Sequence, residues 1–272
     1  TKIYSLLPRP HSRDLEAVCF IPGTSDRRVV TSAEDRQIIL WNLETGKTEQ
    51  IHAAHSGPVL ALCPSEDGSV LYSGGADRKL YQFDFERNTC SQIGVKFENR
   101  INSVLRNQHA FPNCLLITQT AKSKQVQLVD LRLPSASSIV TVLSYTPAED
   151  KLCGKLFRAS WHCAGRLVSS GSTKQSTVNL WDLRYAAAQY SQDSMSTPIT
   201  PAQSLCSLHT TPSSQTVVRA LFHPSIASWM VTLTAEKSIG LHSFSLNWSS
   251  PSSSTSSSSS TSSINNKPPE FL

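Results

Sequence analysis

The sequence predicts an all-β fold assembled from repeated units of short strands, and three observations lead there. Its apolar runs are five to seven residues long and rich in Val, Ile and Leu. Clusters of Gly, Asp and Ser separate them, which is the spacing of strands and turns, and no segment sustains a helical period. The pattern also recurs. Residues 15–42 (LEAVCFIPGTSDRRVVTSAEDRQIILWN) and 59–84 (VLALCPSEDGSVLYSGGADRKLYQFD) each hold an apolar run, a Gly-containing turn, a second run ending in small residues, an Asp and a third run. Asp35 to Asp77 is 42 residues, and so is Trp41 to Phe83.

Along the chain the repeat continues more loosely. A third unit spans residues 99–145, with strands near INSVL, CLLITQ and QVQLVD. A fourth runs from 151 to about 208, with LFRASW, RLVSS and TVNLWD. A fifth begins at 216, with VVRALF, WMVTLT and SIGLHSF. The place of Trp41 is taken by Phe83, Val129, Trp181 and His242 in turn, at steps of 42, 46, 52 and 61 residues. Longer loops account for the growing step, for example residues 186–201, rich in Ser, Gln and Thr.

These units resemble WD repeats, the four-stranded blades of a β-propeller. In the first unit His11, Thr31, Asp35 and Trp41 stand at the offsets of that family's His–Ser/Thr–Asp–Trp hydrogen-bond tetrad. The second has His55, Ser73 and Asp77, with Phe83 replacing the Trp. In the fifth, Thr232 and Glu236 hold the middle positions and His242 replaces the Trp, while the third and fourth have lost most of the set. The resemblance covers roughly residues 1–248 and implies a propeller with blades at about 11–53, 55–94, 99–145, 151–208 and 216–246. One blade is a small twisted antiparallel sheet with two apolar faces, so blades must stack radially to hide them. A buried His–Asp pair with a hydroxyl is useful only when every member is paired.

Five units are visible where most propellers of this family have seven. Residues 1–8, TKIYSLLP, read as the outer strand of a blade. Residues 267–272, KPPEFL, resemble the outer strand of a blade in histone-binding WD-repeat proteins. Either residues 3–7 complete the fifth blade and close a five-bladed ring, or further blades lie outside this sequence; the second reading is favoured. Residues 249–263 contain twelve Ser, two Thr and one Pro. Such a stretch buries too little to offset its ordering entropy, so 249–266 is expected to be disordered, a linker or a phosphorylation platform.

Composition excludes several classes. The 272 residues carry a net charge of +5, with 39% hydrophobic and 17% charged residues. The length supports a substantial core, so a small stapled scaffold is excluded. Seven cysteines, an odd number without a C-x-x-C pair, read as free thiols of a reducing compartment. No run of about 18 apolar residues exists and residues 1–10 lack a signal core, so the expectation is a nuclear or cytoplasmic protein without a membrane span. The mild positive charge does not argue for nucleic acid, since basic residues such as Lys151, Lys155, Arg158 and Arg166 are scattered.

Little in the sequence points to catalysis. His, Asp and Ser are the parts of a hydrolase triad, but here the set recurs at blade spacing, which a single catalytic site would not do. Gly46-Lys47-Thr48 lacks the Gly that a phosphate loop needs five residues earlier, where Trp41 stands, so it reads as a turn. His52, His109, His162, His209 and His223 show no metal-ligand spacing. Asn247-Trp248-Ser249 is a glycosylation sequon, idle without secretion.

The most informative feature is a pair of turns. The third strand of unit three ends Val129-Asp130-Leu131-Arg132, and that of unit four ends Trp181-Asp182-Leu183-Arg184. This resembles the W-D-x-R box of WD-repeat substrate receptors for cullin–RING ubiquitin ligases. The resemblance implies that Arg132 and Arg184 contact the ligase's propeller adaptor and that Asp130 and Asp182 fix the turns. The other units have Glu44, Glu86 and Ser245 where the Arg would stand. The alternative role for such an Arg is local pairing with a carboxylate. The reading is therefore a non-catalytic interaction scaffold without cofactor, metal or small-molecule substrate, docking on a ligase adaptor and presenting an unidentified substrate. A chromatin or histone-binding scaffold is the alternative.

Overall fold

The computed structural model describes residues 10–25, 27–107, 111–120, 124–134, 138–143, 157–171, 177–183, 206–209, 217–235 and 238–244. They form five antiparallel sheets in which consecutive strands are neighbours. The first holds β1 (Leu15–Phe20), β2 (Arg28–Ala33), β3 (Ile38–Asn42) and β4 (Lys47–His52); the second holds β5 (Val59–Pro64), β6 (Val70–Gly75), β7 (Leu80–Asp84) and β8 (Thr89–Ile93). The third holds β9 (Ile101–Asn107), β10 (Phe111–Gln119), β11 (Val126–Asp130) and β12 (Ile139–Leu143). In the fourth are β13 (Ser160–Trp161), β14 (Leu167–Gly171), β15 (Thr177–Asp182) and β16 (Cys206–His209). The fifth has three described strands, β17 (Val217–Phe222), β18 (Trp229–Thr234) and β19 (Ile239–Ser243). This is the expected all-β architecture of propeller blades.

The repeat read from the sequence falls on one row of the register. Trp41 faces Val29, Phe83 faces Leu71, Val129 faces Leu115, Trp181 faces Val168 and His242 faces Met230. Sequence steps of 42 to 61 therefore land on one structural position, because each third strand keeps its antiparallel pairing with the second strand of its own sheet whatever lies between units.

Burial follows from the stacking. The second strands β2, β6 and β14 are almost wholly buried, whereas the outer strands β4 and β8 are mostly exposed. Four apolar clusters lie between consecutive sheets. Val30 and Leu40 meet Leu71 and Phe83; Tyr72 and Leu80 meet Ile101 and Leu115; Leu116 and Leu128 meet Val168 and Trp181; Val178 and Leu180 meet Val217 and Met230. Each buried side chain of this size contributes on the order of 1.5–3 kcal/mol of transfer free energy. The first and last sheets are covered on one side only among the described residues. Exposed Leu15, Val18 and Phe20 on β1, and Trp229, Ile239 and Leu241 on β18 and β19, mark those open faces.

Turn chemistry fixes sheet contacts as well as hairpins. Gly68, in the β5–β6 turn, has φ +70°, and a Cβ there would stand 2.2 Å from the Pro22 carbonyl oxygen of the first sheet. Gly46, within Gly46-Lys47-Thr48, has φ +66° in the β3–β4 turn, which accounts for that tripeptide.

Candidate functional site

The tetrad of the first sheet is a directed chain of hydrogen bonds. Trp41 Nε1–H donates to Thr31 Oγ1 at 2.9 Å, His11 Nε2 lies 2.8 Å from the same oxygen, and His11 Nδ1 lies 3.0 Å from Asp35 Oδ2. An indole can only donate and a carboxylate can only accept. A neutral imidazole protonated at Nδ1 completes the chain: Thr31 donates to His11, and His11 donates to Asp35. Asp35 also accepts from the backbone N–H groups of Ser12 and Gln37, both at 3.0 Å, and so ties the strand entry to the β2–β3 turn. That turn places Arg36 at φ 71°, and its counterpart Arg78 is at φ 63°. Such a conformation is costly for a side chain with a Cβ and is held by the neighbouring carboxylate's bonds.

The second sheet repeats the arrangement without the indole. His55 Nε2 is 2.7 Å from Ser73 Oγ and Nδ1 is 3.0 Å from Asp77 Oδ1, while Asp77 accepts from Ser56 and Lys79 N–H. Phe83 occupies the indole's place as a fully buried ring. In the fifth sheet His242 Nε2 lies 2.9 Å from Thr232 Oγ1, so an imidazole meets the hydroxyl where Trp41 uses an indole. Burial holds His242 below the usual histidine range, which keeps the ring neutral in this role. Glu236 lies outside the described residues.

The third and fourth sheets show two ways of losing the set. In the third, Ile117 and Val129 replace hydroxyl and indole together, both fully buried, and the position becomes apolar throughout. In the fourth, Trp181 is retained, but its buried Nε1 has no partner among the described residues. Ser170 nearby donates instead to the Gly171 carbonyl at 3.1 Å.

Electrostatics follow the same bonds. Burial alone would raise the Asp35 carboxyl, but N–H donation from Gln37 and Ser12 and the His11 bond outweigh it and hold it below the ordinary carboxylate value. Asp77 is likewise held low, with the His55 bond and N–H donation from Ser56 and Lys79 outweighing burial. Both ring nitrogens of His11 and of His55 are thus spent inside their blades, which leaves neither imidazole a lone pair for a nucleophile in a pocket.

The W-D-x-R turns are only partly within the described residues. Arg132 follows β11 with 68% of its side chain exposed, while that of Asp130 is 8% exposed. Arg132 Nη2 and Nε donate to Asp130 Oδ2 and Oδ1 at 2.6 and 3.0 Å, and its backbone N–H donates to Oδ1 at 2.9 Å. These bonds depress the Asp130 carboxyl and raise Arg132. Asp182 is buried at the end of β15, and Arg184 lies outside the described residues, as do residues 249–272 with the Ser tract and KPPEFL. The structure therefore does not bring Arg132 and Arg184 together within what it describes.

Two arrangements were not read from the sequence. His162 Nε2 lies 2.8 Å from the Ala227 carbonyl oxygen and links the fourth sheet to the fifth. Arg158, counted above among scattered basic residues, forms an isolated parallel bridge with Arg219 of β17. The signal was present: LFRASW and VVRALF carry their Arg at one position of the first strand. Among the described residues no group of three or more His, Cys, Asp or Glu side chains gathers to hold a metal, and no helix is long and apolar enough to cross a membrane.

The sheets, their common register and the His–hydroxyl–Asp chains are the architecture of stacked β-propeller blades. Residues 46–84 match the model of the family described as WD domain, G-beta repeat. That span runs from β4 through β7, so the family's repeat unit straddles two sheets and begins with the outer strand of the preceding one.

Three curated proteins are similar to parts of the chain. The chain is 26% identical over 58% of its length to nuclear distribution protein PAC1-2 of Uncinocarpus reesii, covering 34% of that protein. It is 22% identical over 65% of its length to small ribosomal subunit protein RACK1 of Drosophila melanogaster, covering 54% of it. With guanine nucleotide-binding protein subunit beta-5b of Danio rerio it is 29% identical over 58% of its length, covering 38% of that chain. These matches support the WD-repeat family. The chain aligns with between about a third and about half the length of these relatives.

Proposed function

We propose that this chain is a non-catalytic protein-interaction scaffold that docks as a substrate receptor on the propeller adaptor of a cullin–RING ubiquitin ligase. The scaffold part is supported by the tetrads, whose polar groups are consumed within the blades. The relatives carry unrelated names, which fits a fold whose function resides in its surface and loops.

The docking part is carried by Arg132. One edge of its guanidinium is clamped by Asp130, and the rest of the group stands exposed at the turn after a third strand. A pair with one partner so exposed adds little to stability. Its larger effect is orientation, because a clamped Arg loses less side-chain entropy on binding than a free one and offers its remaining donors and its flat faces. Arg184, at the equivalent place in the next unit, supplies the second contact in this reading.

Co-purification with the adaptor tests it. The Arg132→Ala/Arg184→Ala double variant is expected to lose the adaptor while keeping its circular dichroism spectrum. Adaptor recovery equal to that of the parent chain would sink the proposal. A parallel pull-down with histone tails reports on the chromatin alternative.

A further inference from the structure

The innermost strands of the five sheets converge on a cavity of about 410 Å³, lined by residues of β1, β5, β9 and β17 and by Arg158 and Ala159 just before β13. On one register row of its wall, Ala17, Ala61, Ser103 and Arg219 face Ser32, Gly74, Thr118 and Leu233, each the residue after the tetrad-hydroxyl position. Two of these sheets place a small apolar side chain on the row, and two place a hydrogen-bond donor. Ser103 Oγ and Arg219 Nε are both buried, and both lack a partner among the described residues.

Arg158 stands beside Arg219 through the parallel bridge, so two guanidinium-bearing residues share this wall. Burial, with the neighbouring Arg158, pushes Arg219 below its ordinary value. The carboxylate on the wall is Glu16, which is engaged with another group and is not among those acting on Arg219. A half-buried cation beside a like charge, with its buried Nε–H unspent, is a costly arrangement unless an anion completes it. Elsewhere such strained groups cluster where ligands bind.

We infer that this axial cavity is a binding site for an oxyanion on an apolar stem, held by Arg219, Arg158 and the Ser103 hydroxyl. The guanidinium fork matches a carboxylate or phosphate through two parallel N–H bonds. Ala17 and Ala61 on the row, with exposed Leu15 and Val18 of β1 on the same wall, give an apolar lining that suits a short hydrocarbon stem. The volume falls in the range of small-ligand pockets, roughly 300–1,000 Å³, and exceeds the needs of a bare inorganic ion. A free organic acid and an acidic side chain on a partner's loop both present this chemistry.

The test titrates the full chain by calorimetry with glutarate, with the blocked tripeptide acetyl-Gly-Glu-Gly-amide and with inorganic phosphate. Saturable binding of glutarate or the tripeptide is expected, weakened at least tenfold by Arg219→Met, several-fold by Ser103→Ala and not at all by Arg87→Ala on the exposed β7–β8 turn. The tighter of the two organic ligands identifies the source of the oxyanion. Thermal unfolding gives a second readout. Without ligand, Arg219→Met is expected to raise the melting temperature, because it removes a half-buried charge and its unpartnered buried Nε–H, and to abolish the ligand-induced rise. Absence of saturable binding, binding unchanged in Arg219→Met, or a lowered melting temperature for Arg219→Met would each overturn the inference.

Discussion

Trp41 and Trp181 occupy the same register row, are 2% and 1% exposed, and differ in one bond. Trp41 Nε1–H donates to Thr31, whereas Trp181 Nε1 is buried with no partner among the described residues. Replacing each by Phe separates packing from hydrogen bonding. Both variants lose the second ring of the indole, and Phe83 in the second sheet shows that the row accepts a phenyl ring. That packing cost is common to the two and cancels in the comparison. Trp41→Phe also loses a net hydrogen bond, about 0.5–1.5 kcal/mol, while Trp181→Phe removes an orphaned buried donor and regains roughly 1–3 kcal/mol. Trp41→Phe is therefore expected to be the more damaging by about 1.5–4.5 kcal/mol, the sum of those two ranges. Urea unfolding followed by far-ultraviolet circular dichroism measures this without relying on the altered fluorophores. A Trp41→Phe/Thr31→Val cycle should show coupling of about 0.5–1.5 kcal/mol. Equal costs for the two tryptophans, or no coupling in the cycle, would refute the hydrogen-bond chain as a source of stability.

Two further expectations follow from the turns and carboxylates. Gly68→Ala forces a Cβ into a φ of +70° and against the Pro22 carbonyl, so the unfolding free energy from urea titration should fall by more than the ~1–2 kcal/mol of backbone strain alone; an unchanged unfolding free energy would contradict the contact between the first two sheets. Asp35 and Asp77 are depressed in the folded state, so their stabilisation is complete above the unfolded carboxylate value near ~3.9 and disappears as pH falls through the folded values; unfolding free energies at pH 6, 4 and 3 should drop less steeply for Asp77→Asn than for the parent chain.

What the sequence made legible was whatever stays local in it. Within a sheet, each strand pairs with the next along the chain, so Trp41, Phe83, Val129, Trp181 and His242 could be aligned despite unequal spacing. The tetrad partners of the first two sheets were legible for the same reason, since strand entry, hydroxyl and Asp all lie within one hairpin unit. The bond between His242 and Thr232 was not, because an imidazole at an indole's place reads from sequence as a loss.

Contacts between sheets were less legible still. Arg158 and Arg219 are separated by a whole unit and a long connection, and they meet only because inner strands of neighbouring sheets converge on one axis. Sequence reading scores such residues one at a time, as scattered charge, whereas the fold adds them on one wall. This sorts the polar groups of the molecule by a physical criterion. The His–hydroxyl–Asp chains are closed, every donor and acceptor spent inside one blade, so they serve stability. The Arg132 clamp is half closed, one edge bound and the rest exposed, which suits a surface contact. Arg219 Nε and Ser103 Oγ are open and buried at once. Groups in that last condition cost free energy in the empty protein, and binding is the event that recovers it.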